Sequence, residues 1–130
     1  MATIFTKIVN GEIPCYKVAE TDNYLAFLDI RPQQRGHTLV IPKTEIDYIF
    51  DIEDDMLASM MVFAKRVAKA VQKSVPCKRI GVAVIGLEVP HAHIHLMPIN
   101  NISDVGFGNP LSISADEMAA LAAKIASNFE

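Results

Sequence analysis

Apolar and polar positions alternate most regularly in His91-Ala92-His93-Ile94-His95-Leu96-Met97-Pro98, where three of the four histidines fall at every second position. Period two marks a β-strand, whose successive side chains point to opposite faces. The run therefore predicts a strand with His91, His93 and His95 on one face and Ala92, Ile94 and Leu96 on the core face. Upstream, Arg79 to Ile85 is nearly all apolar and predicts a central strand. Gly86-Leu87-Glu88-Val89-Pro90 is a short turn, so these last two strands pair antiparallel. Tyr24 to Asp29 and His37 to Pro42 predict another pair, joined through Arg31-Pro32-Gln33-Gln34-Arg35-Gly36 with Pro32 and Gly36 as breakers. That hairpin leaves Asp29 near one strand end and His37 at the start of the next.

Residues 51 to 74 carry the other period. Leu57, Met60, Met61, Ala64, Val67, Ala68 and Val71 recur at three- and four-residue steps, the spacing of one helix face. Asp51 is the expected N-cap, acidic residues crowd the first turn, lysines and Arg66 follow, and Pro76 marks the stop. Residues 3 to 14 predict a short helical turn leading into a loop, and residues 100 to 110 a polar, glycine-bearing loop. Ser114-Ala115-Asp116-Glu117 has the form of a capping box opening a final helix through Met118, Leu121, Ala122 and Ile125. That helix covers either a sheet edge or a subunit interface. Together these elements predict an α+β architecture, an antiparallel sheet with helices packed on it, in one domain over residues 1–130.

A row of imidazoles is not needed to make a strand fold, so its chemistry is the next question. A strand rise of about 3.3 Å per residue sets His91 and His95 about 13 Å apart, too far for three rings to converge on one ion at about 2.1 Å. A metal could take two of them. It would then need ligands from elsewhere, while His37 lies far back in sequence and Cys15 and Cys77 lack Cys-x-x-Cys spacing. Histidine as nucleophile, oriented by neighbours that handle protons, is the better reading, and no metal or other cofactor is expected.

Composition narrows the class. The chain has 130 residues, 51% hydrophobic and 21% charged, with a net charge of −3. Lysines and arginines are scattered, which argues against a nucleic-acid backbone as partner. No stretch approaches the ~20 apolar residues of a membrane span, and Met1 to Lys7 lacks a basic start followed by an apolar run. Two cysteines make no disulfide framework. A cytoplasmic protein without a membrane partner is expected.

The histidine run resembles the His-φ-His-φ-His-φ-φ signature of the histidine triad (HIT) superfamily, where φ is apolar. Ile4-Phe5-Thr6-Lys7-Ile8-Val9-Asn10-Gly11-Glu12-Ile13-Pro14, then Phe27-Leu28-Asp29-Ile30-Arg31-Pro32, then Gly36-His37-Thr38-Leu39-Val40-Ile41-Pro42-Lys43, are similar to its Hint-like branch in the same order. The resemblance covers residues 3 to about 98. Residues 99–130 form an extension outside it.

The resemblance implies a sheet of about five strands with one long and one C-terminal helix, a homodimer, and a purine nucleotide or nucleotide conjugate as ligand. It implies that His93 attacks the α-phosphate of a conjugate, forming a nucleotidyl-histidine, while His95 contacts the phosphate and aids the leaving group. His91 and His37 would support the site by hydrogen bonds. Asp29 matches the position that accepts the ribose hydroxyls, and Phe5, Ile8, Leu28 and Ile30 match apolar positions flanking the purine.

Two departures bear on activity. The glycine-rich loop before the triad is shortened, with Ile85 where the pattern has Asn. Leu87-Glu88 replaces Gln-Ser or Gln-Thr at positions that bind phosphate and leaving group. Glu88 faces either the pocket or solvent. The resemblance thus implies a hydrolase or nucleotidyl transferase acting on AMP-type conjugates such as phosphoramidates. A nucleotide-binding interaction protein with little turnover and a metal-binding protein are the alternatives.

Overall fold

The computed structural model describes residues 2–130; Met1, the first residue of the expected domain, lies outside the described residues. Among them, five strands form one antiparallel sheet in the order β1-β2-β3-β5-β4. In chain order these are β1 (Lys17–Glu20), β2 (Tyr24–Leu28), β3 (Thr38–Pro42), β4 (Arg79–Ala83) and β5 (Ile94–Ile99). Three α-helices accompany them: α1 (Ile4–Val9), α2 (Asp54–Ser74) and α3 (Ala115–Asn128).

Strand alternation divides the interior into two layers. Tyr24, Ala26 and Leu28 of β2, Val40 of β3 and Ile94 and Leu96 of β5 join Met60, Phe63, Val67 and Val71 of α2 and Leu121 and Ile125 of α3 in the main core. Leu25 and Phe27 of β2 and Leu39 and Ile41 of β3 point the other way and pack with Phe5 of α1. Met118, Leu121, Ala122 and Ile125 are all buried, so α3 belongs to the same core as α2 and covers β1 and β2.

The helix ends are set by side-chain caps. Thr3 Oγ1 accepts from the Thr6 amide at 3.0 Å to open α1, and Ser114 Oγ accepts from the Glu117 amide at 3.2 Å to open α3. The cap of α2 is Glu53, whose Oε1 accepts from the Met56 amide at 2.8 Å. The expected Asp51 instead closes a 3-10 turn, Ile49–Asp51. A cap must sit next to the first helical residue, and the extended Ile52 separates Asp51 from it. Met60 is buried as the periodicity predicts, whereas Met61 is 44% exposed.

Arg79–Ala83 pairs with β5 from Arg79 opposite Ile99 to Ala83 opposite His95, antiparallel as expected. It is an edge strand, not a central one, and ends before Val84 and Ile85. Val82 and Ile85 are more than half exposed, so its apolar character reflects an uncovered surface. β1 has no counterpart among the expected strands: its four residues are too short for a periodic signal. The histidine strand enters the sheet ladder only at Ile94, because the Ala92 amide bonds the Ile46 carbonyl at 2.7 Å instead of a neighbouring strand.

Gly36 closes the β2–β3 connection with φ +93, and a Cβ there would lie 2.9 Å from Val75 Cγ2 and 3.2 Å from Pro98 Cγ. Only glycine fits both the backbone and the space. The connection places Asp29 and His37 across from each other, the Asp29 amide bonding the His37 carbonyl at 3.0 Å.

Candidate active site

His91, His93 and His95 all lie on the sheet face opposite the main core, and all are buried together with His37. Each ring is held by partners that fix where its proton sits. His93 Nδ1 lies 2.7 Å from the His91 carbonyl oxygen, and a carbonyl only accepts. In the neutral ring Nδ1 therefore carries the proton and Nε2 the lone pair.

A second chain of bonds settles His95. The Gln33 amide donates to His37 Nδ1 at 3.0 Å, so the proton of neutral His37 is on Nε2. His37 Nε2 lies 2.9 Å from His95 Nδ1, which must accept it. The proton of His95 is then on Nε2. Among the described residues no buried side-chain nitrogen or oxygen lacks a partner, so the unpaired Nε2 atoms of His93 and His95 are both open to solvent. The site thus offers a lone pair and an N–H donor side by side, on rings 4.9 Å apart.

His91 serves the others. Its Nε2 donates to the Pro42 carbonyl at 2.8 Å, and its Nδ1 accepts from Thr3 Oγ1 at 3.0 Å. Glu45 anchors that corner, its Oε1 accepting from the Thr3 amide at 2.9 Å and Thr6 Oγ1 at 2.6 Å. Burial holds His91, His37 and His95 below the ordinary imidazole range. For His95, burial and the neighbouring His37 and His93 push it down to about 3, so it stays a neutral donor at pH 7.

The two open nitrogens border a cleft of about 290 Å³. Asp29, Arg31 and Gln33 line one side, Ile85 to Glu88 another, and Phe107 closes over His95. Asp29 Oδ1 accepts from the Arg31 amide at 2.9 Å, and its Oδ2 lies 3.7 Å from His37 Nε2. Glu88 is among the residues bordering the cleft, and it is exposed to solvent there.

The structure does not bring the four expected apolar residues into this cleft. Leu28 is sealed in the main core, and Phe5 packs edge-on against His93 and His91 at 5.1 and 5.7 Å between ring centres. Ile8 packs beside Phe5 in the second layer. Ile30, 71% exposed, stands next to Asp29 outside the lining. Phe5 acts as a buttress for the triad: truncation to alanine removes its contact with two catalytic-side rings.

Arg31, Gln33 and Phe107 were missed by sequence reasoning. Arg31 had a signal, being a cation two residues beyond the expected ribose acceptor. Phe107, a lone aromatic between Gly106 and Gly108 in a polar loop, had another. Gln33 holds His37 through its backbone amide, which has no sequence signature.

Asp29, His37 and His95 also bring one possible metal-binding atom each within 4.8 Å of one another. The His37 and His95 nitrogens of that group already share a proton, so a cation there would displace the bond that orients His95. His91 is directed away to Pro42, and the three rings of the run do not converge. Cys15 and Cys77 are free and outside the cleft lining.

A HIT domain model matches residues 10–102. The chain belongs to the HIT family. The Schizosaccharomyces pombe protein named adenosine 5'-monophosphoramidase hnt1 is 38% identical over 133 residues, covering all of both chains. A HIT-like protein from Bartonella henselae, crystallised with an unknown ligand, superposes with a TM-score of 0.85 at 32% identity, over 98% of this chain and 96% of that one. A zinc-bound histidine triad family protein from Mycobacterium smegmatis gives a TM-score of 0.80 at 30% identity, over 98% and 95%. These HIT relatives match the α+β sheet and helices described above.

Proposed function

We propose that this chain hydrolyses purine-nucleotide conjugates, AMP-type phosphoramidates foremost, through a nucleotidyl intermediate on His93. The observation that carries the reading is the pairing of an unprotonated His93 Nε2 with a His95 Nε2–H in one cleft. Similarity to the S. pombe phosphoramidase supports the substrate class.

The His93 lone pair adds to the α-phosphorus while the P–N bond breaks, its electron pair leaving with the amine nitrogen. That nitrogen takes one proton from cleft water. His93 keeps its Nδ1 proton, and the charge gained by the phosphorylated ring is shared with the His91 carbonyl. His95 Nε2–H donates to the phosphoryl group, a contribution worth roughly 10²–10³ in rate where such a donor is preorganised. Water then adds to phosphorus, His93 departs neutral, and the proton consumed in the first step is released. The balance is conjugate plus water giving nucleotide plus amine.

Asp29 is positioned to accept the ribose hydroxyls, with the base lying over the exposed Ile30. Arg31 attracts the phosphate. A second reading, a nucleotide binder with little turnover, is favoured by Glu88, which puts an acceptor-only side chain where the family pattern has a hydroxyl. Mixing adenosine phosphoramidate with stoichiometric enzyme separates the two. Hydrolysis releases AMP and, on rapid quench, leaves an AMP adduct on His93 by intact-mass and peptide analysis. Binding without AMP release selects the second reading.

A further inference from the structure

We infer that Phe107 is a positioning residue for His95, carried to the site by a strap that the chain adds after its last strand. The inference rests on the hydrolase reading for its purpose and on geometry for its content.

The strap starts immediately after β5. Asp104 Oδ2 accepts from the amides of Asn100 and Asn101 at 2.8 and 3.0 Å, closing a 3-10 turn over Ile102–Asp104. The chain then crosses to the β2–β3 connection and is tied there three times. Gln34 Nε2 donates to the Asp104 carbonyl at 3.3 Å, the Asn109 amide to Gln33 Oε1 at 3.3 Å, and the Leu111 amide to the Pro32 carbonyl at 2.7 Å. These anchors fall on residues 32–34, and Gln33 is the residue whose own amide fixes the His37 proton. A surface loop needing only to reach α3 has no reason to grip that residue by its side chain.

Between the anchors, Phe107 sets its ring centre 4.8 Å from His95 at 70° and 6.4 Å from His37. It is 43% exposed, an exposure that gives it little role in the core. His95 is otherwise enclosed by His37 and His93, with ring centres 5.1 and 4.9 Å away. The phenyl ring covers part of the imidazole at the cleft, leaving Nε2 open. The charged and titratable groups facing His95 are His37 just ahead of β3, His93 ahead of β5, Asp29 beyond β2, and Arg31 and Glu88 across the cleft. Phe107 brings no charge, so its effect is exclusion of water, which disfavours the imidazolium and preserves the neutral Nε2–H donor under acidic conditions.

The test is Phe107→Ala with Phe107→Tyr as the conservative restoration, and Gln33→Ala as a second route that removes one tether and leaves the ring intact. Histidine nitrogens are followed by NMR from pH 8 to 4.5 in the ligand-free protein, and AMP release from adenosine phosphoramidate is followed over the same range. In the wild type His95 stays neutral throughout. In Phe107→Ala and Gln33→Ala its titration moves up from about 3 by a unit or more, so its charged fraction at pH 4.5, the acid end of the range, rises by close to tenfold. The acid limb of kcat moves with it, His91 is unchanged, and Phe107→Tyr restores both. An unchanged His95 titration in Phe107→Ala, with the fold confirmed by its spectrum, overturns the inference. Absence of AMP release by the wild type would reject the hydrolase reading alone, and the ligand-free titration would still decide whether Phe107 shields His95.

Discussion

The Nδ1 atom of His93 lies 2.7 Å from the carbonyl oxygen of His91, two residues back along the same chain. The bond is short because both residues precede the point where β5 joins the ladder, leaving the His91 carbonyl free to turn toward the ring. It commits the His93 proton and aims the lone pair, which is the requirement for attack on phosphorus. His93→Gly therefore abolishes turnover while nucleotide affinity stays within about tenfold, roughly 1.4 kcal/mol, since the other donors remain. Steady-state AMP release and equilibrium binding of AMP check both halves. Wild-type turnover in this variant would sink the mechanism.

Burial of neutral imidazoles makes stability depend on pH. The depressed histidines His37, His91 and His95 bind protons less readily folded than unfolded, where the ordinary value is 6.5. Below 6.5 the unfolded chain takes up protons that the folded chain refuses, so stability falls as pH falls. For His95 this continues down to about 3 and then stops. Each such group contributes up to about 1.4 kcal/mol per pH unit within its window. Urea midpoints at pH 7.5 and 5.5 test this, above the range in which the carboxylates titrate. Equal midpoints would contradict it.

Asp29 combines a fixed backbone bond with an open second oxygen. Arg31 holds Oδ1, leaving Oδ2 3.7 Å from His37 and toward the cleft. Removing a charged acceptor of this kind costs about 1.5–3 kcal/mol in binding. Asp29→Ala should weaken AMP by that amount and a phosphate ligand lacking ribose by much less. Equal losses for both, measured by calorimetry, would remove Asp29 from ribose recognition.

How much of this was legible in the sequence follows from where each interaction resides. The two-residue period of residues 91–97 was readable because strand alternation is local, and it correctly assigned the imidazole and core faces. The N-cap at Ser114 and the apolar face of α2 were readable for the same reason, although only the Ser114 half of the expected box forms. The edge position of β4 was not, since an apolar run reads alike whether a helix or nothing covers it. Proton placement was also hidden, because the Gln33 amide, the His91 carbonyl and the Pro42 carbonyl determine it without using side-chain identity. Phe107 reaches His95 only through tertiary ties to residues 32–34, more than seventy positions away in the chain.

The outer edge of β4 bears on assembly. Val82, Ile85, Met61 and Val62 leave 44 to 60% of their surfaces exposed beside unpaired strand backbone. Next to them lies a mostly apolar groove of about 620 Å³ lined in part by Tyr48, Phe50, Leu57 and Val84. Such an edge invites pairing with another strand. A second copy of the chain is the expected occupant, so light scattering at micromolar concentration should report a dimer, and Val82→Lys should shift it to the monomer. A single-chain mass for the wild type would rule this out.

On the hydrolase reading, Glu88 is the residue expected to select among leaving groups. It follows the Gly86 turn, where φ is +75, and lines the cleft with His93 and His95. An ionised carboxylate accepts hydrogen bonds and donates none, so it suits an amine leaving group and opposes an anionic one. At 4 Å the repulsion between unit charges is about 1 kcal/mol in bulk water, and larger in a partly desolvated cleft. Arg31 in the same cleft offsets part of this for the phosphate under attack, and the leaving group is expected to depart on the Glu88 side. Replacing Glu88 by serine removes the charge and supplies a donor. For a conjugate whose leaving group is phosphate, Glu88→Ser should raise kcat/KM by about fivefold or more, corresponding to roughly 1 kcal/mol. For an amine conjugate of AMP the change should be smaller than about twofold on the same scale. Raising ionic strength should narrow the difference between wild type and variant on the phosphate conjugate, because screening weakens what the mutation removes. A preferential gain on the amine conjugate would reject repulsion as the basis of selectivity and leave Glu88 as a spacer in the shortened turn.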